Sequence, residues 1–276
     1  MAPGGGSSRQ AEVKAFLLAA GYGRRLRPLT DRTPKCLLPV GGEPLLGWWL
    51  RACRRHGVRE VLVNTHHLAE EVWRYVAGPG SAHGMAISLF HEEKLLGSAG
   101  TLRAARHFAA GEESFFVIYA DNLSEVDLGR MARWHASHDA VLTVGLFRAP
   151  EPERCGIAML DEAGRIVEFV EKPSVPRSPW AGAGIYVARE TLFDRLDEAW
   201  ELRPAGQRVL DFGFDILPGL AARGEAQGYM IEEFLMDIGT PESYALANRR
   251  FSEGPAARGK DVGERRRYRG EEGLGR

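Results

Sequence analysis

Residues 16–35, "FLLAAGYGRRLRPLTDRTPK", run from an apolar stretch into two glycines and then into arginines and a lysine set among prolines. The apolar run Ala15–Ala20 ends at Gly21, the pattern of a short strand buried on both faces. A glycine turn leaving such a strand offers backbone N–H groups and room for close approach, which phosphate oxygens require. Two familiar phosphate loops fail here. The dinucleotide fingerprint needs a third glycine three residues after the second, where this chain has Leu26. The Walker A loop needs Gly-Lys-Ser/Thr, and here "RRLRPLT" follows Gly23. Pro28 and Pro34 prevent a long helix from starting after the loop. The spacing predicts an extended, proline-stiffened arm that gathers Arg24, Arg25, Arg27 and Lys35 in one neighbourhood. Several cations beside exposed amides suit a triphosphate or pyrophosphate.

Outward from this loop, strand and helix patterns alternate. Glu43–His56 places Leu46, Trp49, Leu50 and Cys53 at helical spacing, with Gly57 as its stop. "REVLVNT" reads as a strand, Leu68–Val76 as a helix, "MAISLF" as a strand and Ala99–Phe108 as a helix. "SFFVIYAD" reads as another buried strand and Leu128–Ser137 as a helix. Short connections between them imply an α/β fold with a mixed, mainly parallel Rossmann-like sheet flanked by helices. Beyond "AVLTVGLF" the strands shorten to "GIAML", "RIVEFVEK" and "AGIYVA", and a smaller α+β part packed against the first half is expected. One domain over residues 12–251 is expected, between a flexible N-terminus at 1–11 and a flexible charged tail at 252–276.

Composition narrows the function. The 276 residues are 44% apolar and 26% charged with a formal net charge of −1, so no global basic field draws in nucleic acid or an anionic membrane. Any anion must be bound by local geometry. The three cysteines, Cys36, Cys53 and Cys155, have no paired spacing and fit buried thiols better than a disulfide frame or a zinc site. No apolar run approaches the ~18 residues of a membrane span, and the protein is expected to be soluble and cytoplasmic. The eight histidines, His66 and His67 among them, are read as surface or loop residues, and Trp48 and Trp49 as core or subunit contacts. The sequence leaves a homo-oligomer open.

"GYGRRLRPLTDRTPKCLLPV" resembles the signature of the sugar-1-phosphate nucleotidylyltransferases, departing by Arg24, where threonine or serine is common, and by Cys36, where proline is common. The resemblance runs from about Val13 to Phe251 and implies an Mg²⁺-dependent enzyme of the nucleotide-diphospho-sugar transferase fold. It joins a nucleoside triphosphate to a sugar 1-phosphate. By resemblance, Gly21, Gly23 and Arg24 belong to the nucleotide site, and Arg25 and Lys35 bind its phosphates and stabilise the transition state. Asp121, ending "FFVIYAD", and Asp237, in "MDIGTPESY", hold the metal. Gly97, in "LLGSAGT", lies against base or ribose. In "EFVEKP", Glu171 takes a sugar hydroxyl and Lys172 the sugar phosphate, with Gly156 and Gly182 beside them.

The arm and the "LGSAGTL" turn are most similar to mannose-1-phosphate and heptose guanylyltransferases, so GTP is favoured. Glu92 or Glu93 could accept the paired N–H donors of a guanine edge, or be a solvated acidic turn. Gly182 replaces the family's usual asparagine and Cys155 its frequent aromatic residue, which implies an unusual acceptor such as a heptose or cyclitol phosphate. The alternatives are a silent sugar-nucleotide-binding regulatory subunit, the same chemistry with dTTP, UTP or ATP and glucose 1-phosphate, and a phosphocholine cytidylyltransferase with an aromatic cage, for which Trp180 is the candidate.

Overall fold

The computed structural model describes residues 13–252. The expected terminal segments, 1–11 and the tail from 252, lie outside the described residues except for Ser252. Along the chain come β1 (Val13–Leu18), the short β2 (Pro39–Val40) and β3 (Glu43–Pro44), α1 (Leu45–Arg55), β4 (Val58–Thr65), α2 (Ala69–Ala77), β5 (Ala86–His91), α3 (Ser98–Ala104), β6 (Ser114–Tyr119), β7 (Asn122–Ser124) and α4 (Leu128–Ala136). The second half adds β8 (Leu142–Arg148), β9 (Gly156–Leu160), β10 (Ile166–Glu171), β11 (Trp180–Arg189), α5 (Leu192–Leu202), α6 (Leu217–Ala222), β12 (Ala226–Met230), β13 (Leu235–Asp237) and α7 (Pro241–Ser252).

β1 lies at the centre of a nine-stranded sheet, parallel to β4 and β6, with β5 parallel to β4 beyond it. Its central residues serve both faces, as an unbroken apolar run requires. Phe16 joins Leu62, Phe115 and Val117 in the core under α3 and α5, while Ala15 and Leu17 join Val61, Val63, Phe116 and Ile118 against Trp49, Leu50 and Cys53 of α1. Burying each larger side chain contributes roughly 1.5–3 kcal/mol. Gly57, at φ 83°, takes the left-handed turn after α1 that its place in the sequence implies.

The second half packs against the first as expected, and most of its strands extend the same sheet. β11 runs antiparallel to β6, β8 antiparallel to β11, and β12 parallel to β8, all in the same sheet. The smaller wing is the antiparallel β9–β10 pair, joined through Ala181 of β11 opposite Ile157. β11 reaches both places because its register against β8 shifts between Gly182 and Tyr186. Gly184 makes the bend at φ +67°, and a Cβ there would lie 2.9 Å from the Tyr119 ring. The paired strands β7 and β13 set Asp237 opposite Asn122. That register brings the end of β13 beside Asp121, whose carbonyl accepts from Ile238 N at 3.3 Å.

Candidate active site

Two cavities meet at the C-terminal ends of the parallel strands. One, of about 280 Å³, is lined by Ala19 to Gly21, Lys35, Asn64, Glu92, Gly97, Thr101 and Asp121 among others. The second, of about 360 Å³, is lined by Arg25, Arg154, Gly156, Glu171, Lys172, Gly182, Asp211 and Asp237 among others. Tyr119 and Asp121 belong to both walls.

The arm is not extended. It winds into three short 3-10 turns, Arg24–Leu26, Leu29–Asp31 and Lys35–Leu37. Gly23, at φ +63°, starts the first turn, and its carbonyl accepts from Leu26 N at 2.9 Å and Thr30 Oγ1 at 2.9 Å. The winding separates the four cations. Arg24 lies over the Tyr22 ring at 4.8 Å, and Arg27 pairs with Asp31 at 3.1 Å. Lys35 and Arg25 converge. Lys35 Nζ is 2.7 Å from Asp121 Oδ2 and 3.5 Å from Asp237 Oδ1, and Arg25 Nη2 is 3.6 Å from Asp237 Oδ2. Lys35 is 6% exposed, and a buried ammonium requires such partners. The Arg25 side chain is 68% exposed, so its ion pair adds little to stability. Gly239 makes room for the pair: a Cβ there would meet Asp237 Oδ2 at 2.5 Å and Arg25 Nη2 at 2.7 Å.

Among the described residues no three His, Cys, Asp or Glu side chains form a metal-holding group. Mg²⁺ is commonly held by one or two carboxylates together with substrate phosphates. Asp121 and Asp237, two carboxylates turned toward one shared cation, fit that mode.

In the first cavity, Glu92 is 2% exposed and its carboxylate is engaged from within. Oε1 accepts from Asn64 Nδ2 at 2.7 Å and Thr101 Oγ1 at 2.6 Å, and Oε2 from Leu96 N at 2.9 Å. Oε1 is filled and Oε2 keeps one lone pair, so Glu92 has capacity for one further donor, not for a paired guanine edge. Glu93 is exposed. Asn64 Oδ1 also accepts from Ala19 N at 2.6 Å, tying the belt to the end of β1. Gly97, at φ +82°, could not be another residue without moving backbone, since a Cβ would lie 2.4 Å from Leu210 O. Leu210 O in turn accepts from Ala99 N and Gly100 N, both at 3.0 Å. Gly21 has nothing within 4 Å of where a Cβ would stand, and it faces the cavity.

In the second cavity, Glu171 pairs with Gly156 across β10–β9. A Cβ on Gly156 would lie 2.4 Å from Glu171 Oε2 and 2.5 Å from the Phe169 ring, and one on Gly213 would lie 2.4 Å from the same oxygen. Gly182 differs, because its nearest neighbours would be at 3.6 Å. A side chain would fit there, so its absence leaves real space. Burial raises the Glu171 carboxyl above its ordinary range, opposed by the nearby Lys172 ammonium and reinforced by Asp211. Lys172 adopts φ +48°, a left-handed conformation costing about 1–3 kcal/mol away from glycine. Its ammonium is 3.7 Å from Glu171 Oε1, and its side chain is 60% exposed.

Sequence reasoning missed Asn64, Thr101, Tyr119 and Asp211. Asn64 had a visible signal, a lone polar residue within the apolar "VLVNT". Asp211 had none, because it reaches the cavity only through the latch between Leu210 and the Gly97 turn. Its carboxylate accepts from Ser98 Oγ at 2.9 Å and Gly213 N at 2.9 Å. Burial pushes the thiols of Cys36 and Cys53 up to about 12, in keeping with packing roles. Cys155 is half-buried and lines the second cavity. Trp49 is core, with its indole N–H donating to Asn122 O at 2.7 Å.

Comparison with known proteins follows the same lines. The chain is 32% identical over 234 residues to the mannose-1-phosphate guanylyltransferase catalytic subunit beta of Danio rerio, covering 84% of this chain and 62% of that protein. It is 31% identical over 233 residues to the Drosophila melanogaster protein of the same name, covering 84% and 61%. The chain thus spans about three fifths of the length of the curated relatives it matches. A crystal structure from Bacillus anthracis, described as a glucose-1-phosphate thymidylyltransferase in complex with sucrose, superposes with a TM-score of 0.79 at 27% identity, covering 88% of this chain and 96% of that one. No helix among the described residues is long and apolar enough to cross a membrane. Residues 14–254 match the nucleotidyl transferase family, and the chain belongs to that family.

Proposed function

We propose that the protein transfers a nucleotidyl group from a nucleoside triphosphate, GTP in preference, to a sugar 1-phosphate, forming an NDP-sugar and pyrophosphate in the cytoplasm. The observation that carries this reading is the convergence of Lys35 and Arg25 on Asp121 and Asp237 at the wall shared by two cavities. Two anionic substrates must meet at one phosphorus, and a mixed cluster of cations and carboxylates at their boundary offsets the repulsion. The triphosphate occupies the first cavity, its phosphates against the Gly21–Gly23 loop and its nucleoside against Gly97 and the Glu92 belt. The sugar phosphate occupies the second, with Lys172 on the phosphate and Glu171 accepting a hydroxyl.

The chain's own contribution is positioning and charge. Lys172 steadies the attacking phosphate oxygen in line with the departing pyrophosphate, and Arg25 and Lys35 hold the negative charge that gathers there. A phosphate monoester is nucleophilic at neutral pH, so no side chain need act as general base. Mg²⁺ held by Asp121 and Asp237 would neutralise charge between the two substrates. GTP is favoured because the relatives named above are guanylyltransferases. Mannose, a heptose or a cyclitol is favoured as acceptor, the last two because Gly182 and Cys155 leave the cavity wall open.

The test is pyrophosphate release from five nucleoside triphosphates against a panel of sugar 1-phosphates with Mg²⁺. Turnover with GTP and one of these acceptors is expected. Tight triphosphate binding with no release from any pair would replace the enzyme with a silent nucleotide-binding subunit.

A further inference from the structure

We infer that His66 is a positioning residue for the triphosphate, acting through Tyr22 to hold the glycine loop against the nucleoside turn. The inference rests on the reading that this loop meets a triphosphate. Among the described residues, the backbone N–H groups of Gly21, Tyr22 and Gly23 donate no hydrogen bond within the chain. The loop contains two glycines, and the backbone does not hold its first half. Glycine loops lose much conformational freedom when fixed, so something else must set the loop's position if its amides are to be ready for phosphate.

Tyr22 is the side chain between the glycines, and its hydroxyl lies 2.8 Å from His66 Nε2. On the other side of the ring, His66 Nδ1 lies 2.7 Å from Glu92 O. A carbonyl only accepts, so Nδ1 carries the hydrogen, and Nε2 of the neutral ring accepts from the Tyr22 hydroxyl. The chain Tyr22–His66–Glu92 therefore links residues that follow β1, β4 and β5, three adjacent strands. Glu92 is itself immobilised by Asn64, Thr101 and Leu96, so the link ends on a fixed point. Ring contacts support it: Tyr22 meets His66 edge-on at 5.2 Å and His67 at 5.5 Å. His67 holds the far side of the loop, with Nε2 donating to Thr30 O at 2.9 Å while Thr30 Oγ1 donates to Gly23 O at 2.9 Å.

Tyr22→Phe and His66→Asn remove the same bond from opposite ends. The asparagine amide can still donate near the position of Nδ1, so the link to Glu92 O is kept. Titration calorimetry with Mg²⁺ and either GTP or inorganic pyrophosphate should show each variant weakened about three- to tenfold, the loss of one hydrogen bond. The double variant should be no weaker than either single one. In turnover assays the triphosphate KM should rise while the acceptor KM and the Tm hold. Variants that bind both probes as tightly as wild type would overturn the brace, as would effects that multiply in the double variant or an equal rise in acceptor KM. A wild-type protein that binds neither probe would overturn the triphosphate reading itself, a result separate from failure of the brace alone.

Discussion

The two cavities hold Glu92 and Glu171 in opposite ways. In the first, Glu92 is buried and accepts three hydrogen bonds from Asn64, Thr101 and Leu96. In the second, Glu171 is also largely buried, at 18% side-chain exposure, yet its charged partner is a mostly exposed lysine 3.7 Å away. The first cavity is built on the ends of parallel strands and braced across them. The second is built where β11 bends and β10 ends, and there Glu171 keeps acceptor capacity for a ligand. A satisfied carboxylate organises a site, whereas an unsatisfied one is left to bind something. On the proposed reading, the half that takes the nucleotide is the one fixed by folding, and the half that takes the acceptor is the one left to set substrate choice.

The boundary between the halves should give the largest effects. Asp121→Asn and Asp237→Asn each remove a charge from the junction of the two cavities while keeping an acceptor oxygen for Lys35. Turnover should fall by about 10³-fold in each, with little change in Tm for Asp237→Asn and a lowered Tm for Asp121→Asn, which takes the 2.7 Å carboxylate from the buried Lys35. Pyrophosphate release at saturating Mg²⁺ and a thermal melt check this together. A variant that keeps normal Mg²⁺-dependent rates would remove its aspartate from the junction.

Lys172→Ala comes next, since Lys172 lines only the second cavity, which the proposed reading gives to the acceptor. The lysine is mostly exposed, so folding should hardly register its loss. The kcat/KM for the sugar phosphate should drop about ten- to a hundredfold, the scale of a charged hydrogen bond, with the triphosphate KM unchanged. Weakened triphosphate binding with unchanged acceptor dependence would place Lys172 on the wrong side of the boundary.

The same division explains what was legible in the sequence. The apolar run into Gly21, the alternation of strands and helices, and the helix stop at Gly57 are local patterns, and the sheet core follows from them. The arm's winding was not legible, because the prolines exclude a long helix without excluding the short 3-10 turns that Gly23 and Thr30 stabilise. The second half was read as a smaller α+β part packed against the first, but which of its strands extend the sheet from β6 and which form the β9–β10 wing was not legible, because those pairings depend on contacts distant in sequence. Asp121 and Asp237 were singled out by resemblance to a family motif. Their meeting depends on the β7–β13 register, which no local pattern encodes. Glu92 was visible as an acidic residue near a turn, but its hydrogen bonds come from β4 and α3, so its spent acceptor capacity was invisible.

Glu92→Gln tests the satisfied carboxylate. Whichever way the amide turns, its NH₂ group faces at least one donor, and at least one N–H or O–H loses its acceptor. The cost should be about 2 kcal/mol, or roughly 4–8 °C in Tm for a domain of this size. A melt of the protein without substrates reads it, and an unchanged Tm would show that the belt does not carry the stability assigned to it.

Glu171→Gln should move Tm less than Glu92→Gln, and in the opposite direction. Its carboxyl is raised above the ordinary value of 4.5, with burial as the largest cause. Below that value the group is protonated in both folded and unfolded chains and has no effect on stability. As pH rises, the unfolded chain releases its proton first, so folding is opposed from there upward and the full penalty is reached once the folded carboxyl has ionised as well. The glutamine variant should therefore match wild type near pH 4 and exceed it at pH 7, by less than the roughly 2–4 °C that 1 kcal/mol brings. The acceptor KM should rise at the same time, because an amide accepts a sugar hydroxyl more weakly than a carboxylate. If the Lys172 pair outweighed burial, the variant would be less stable than wild type at pH 7, and Glu171 would have to be counted among the satisfied carboxylates with Glu92. A more stable protein that uses its acceptor poorly is the outcome expected of a group kept charged for a ligand at the expense of the fold.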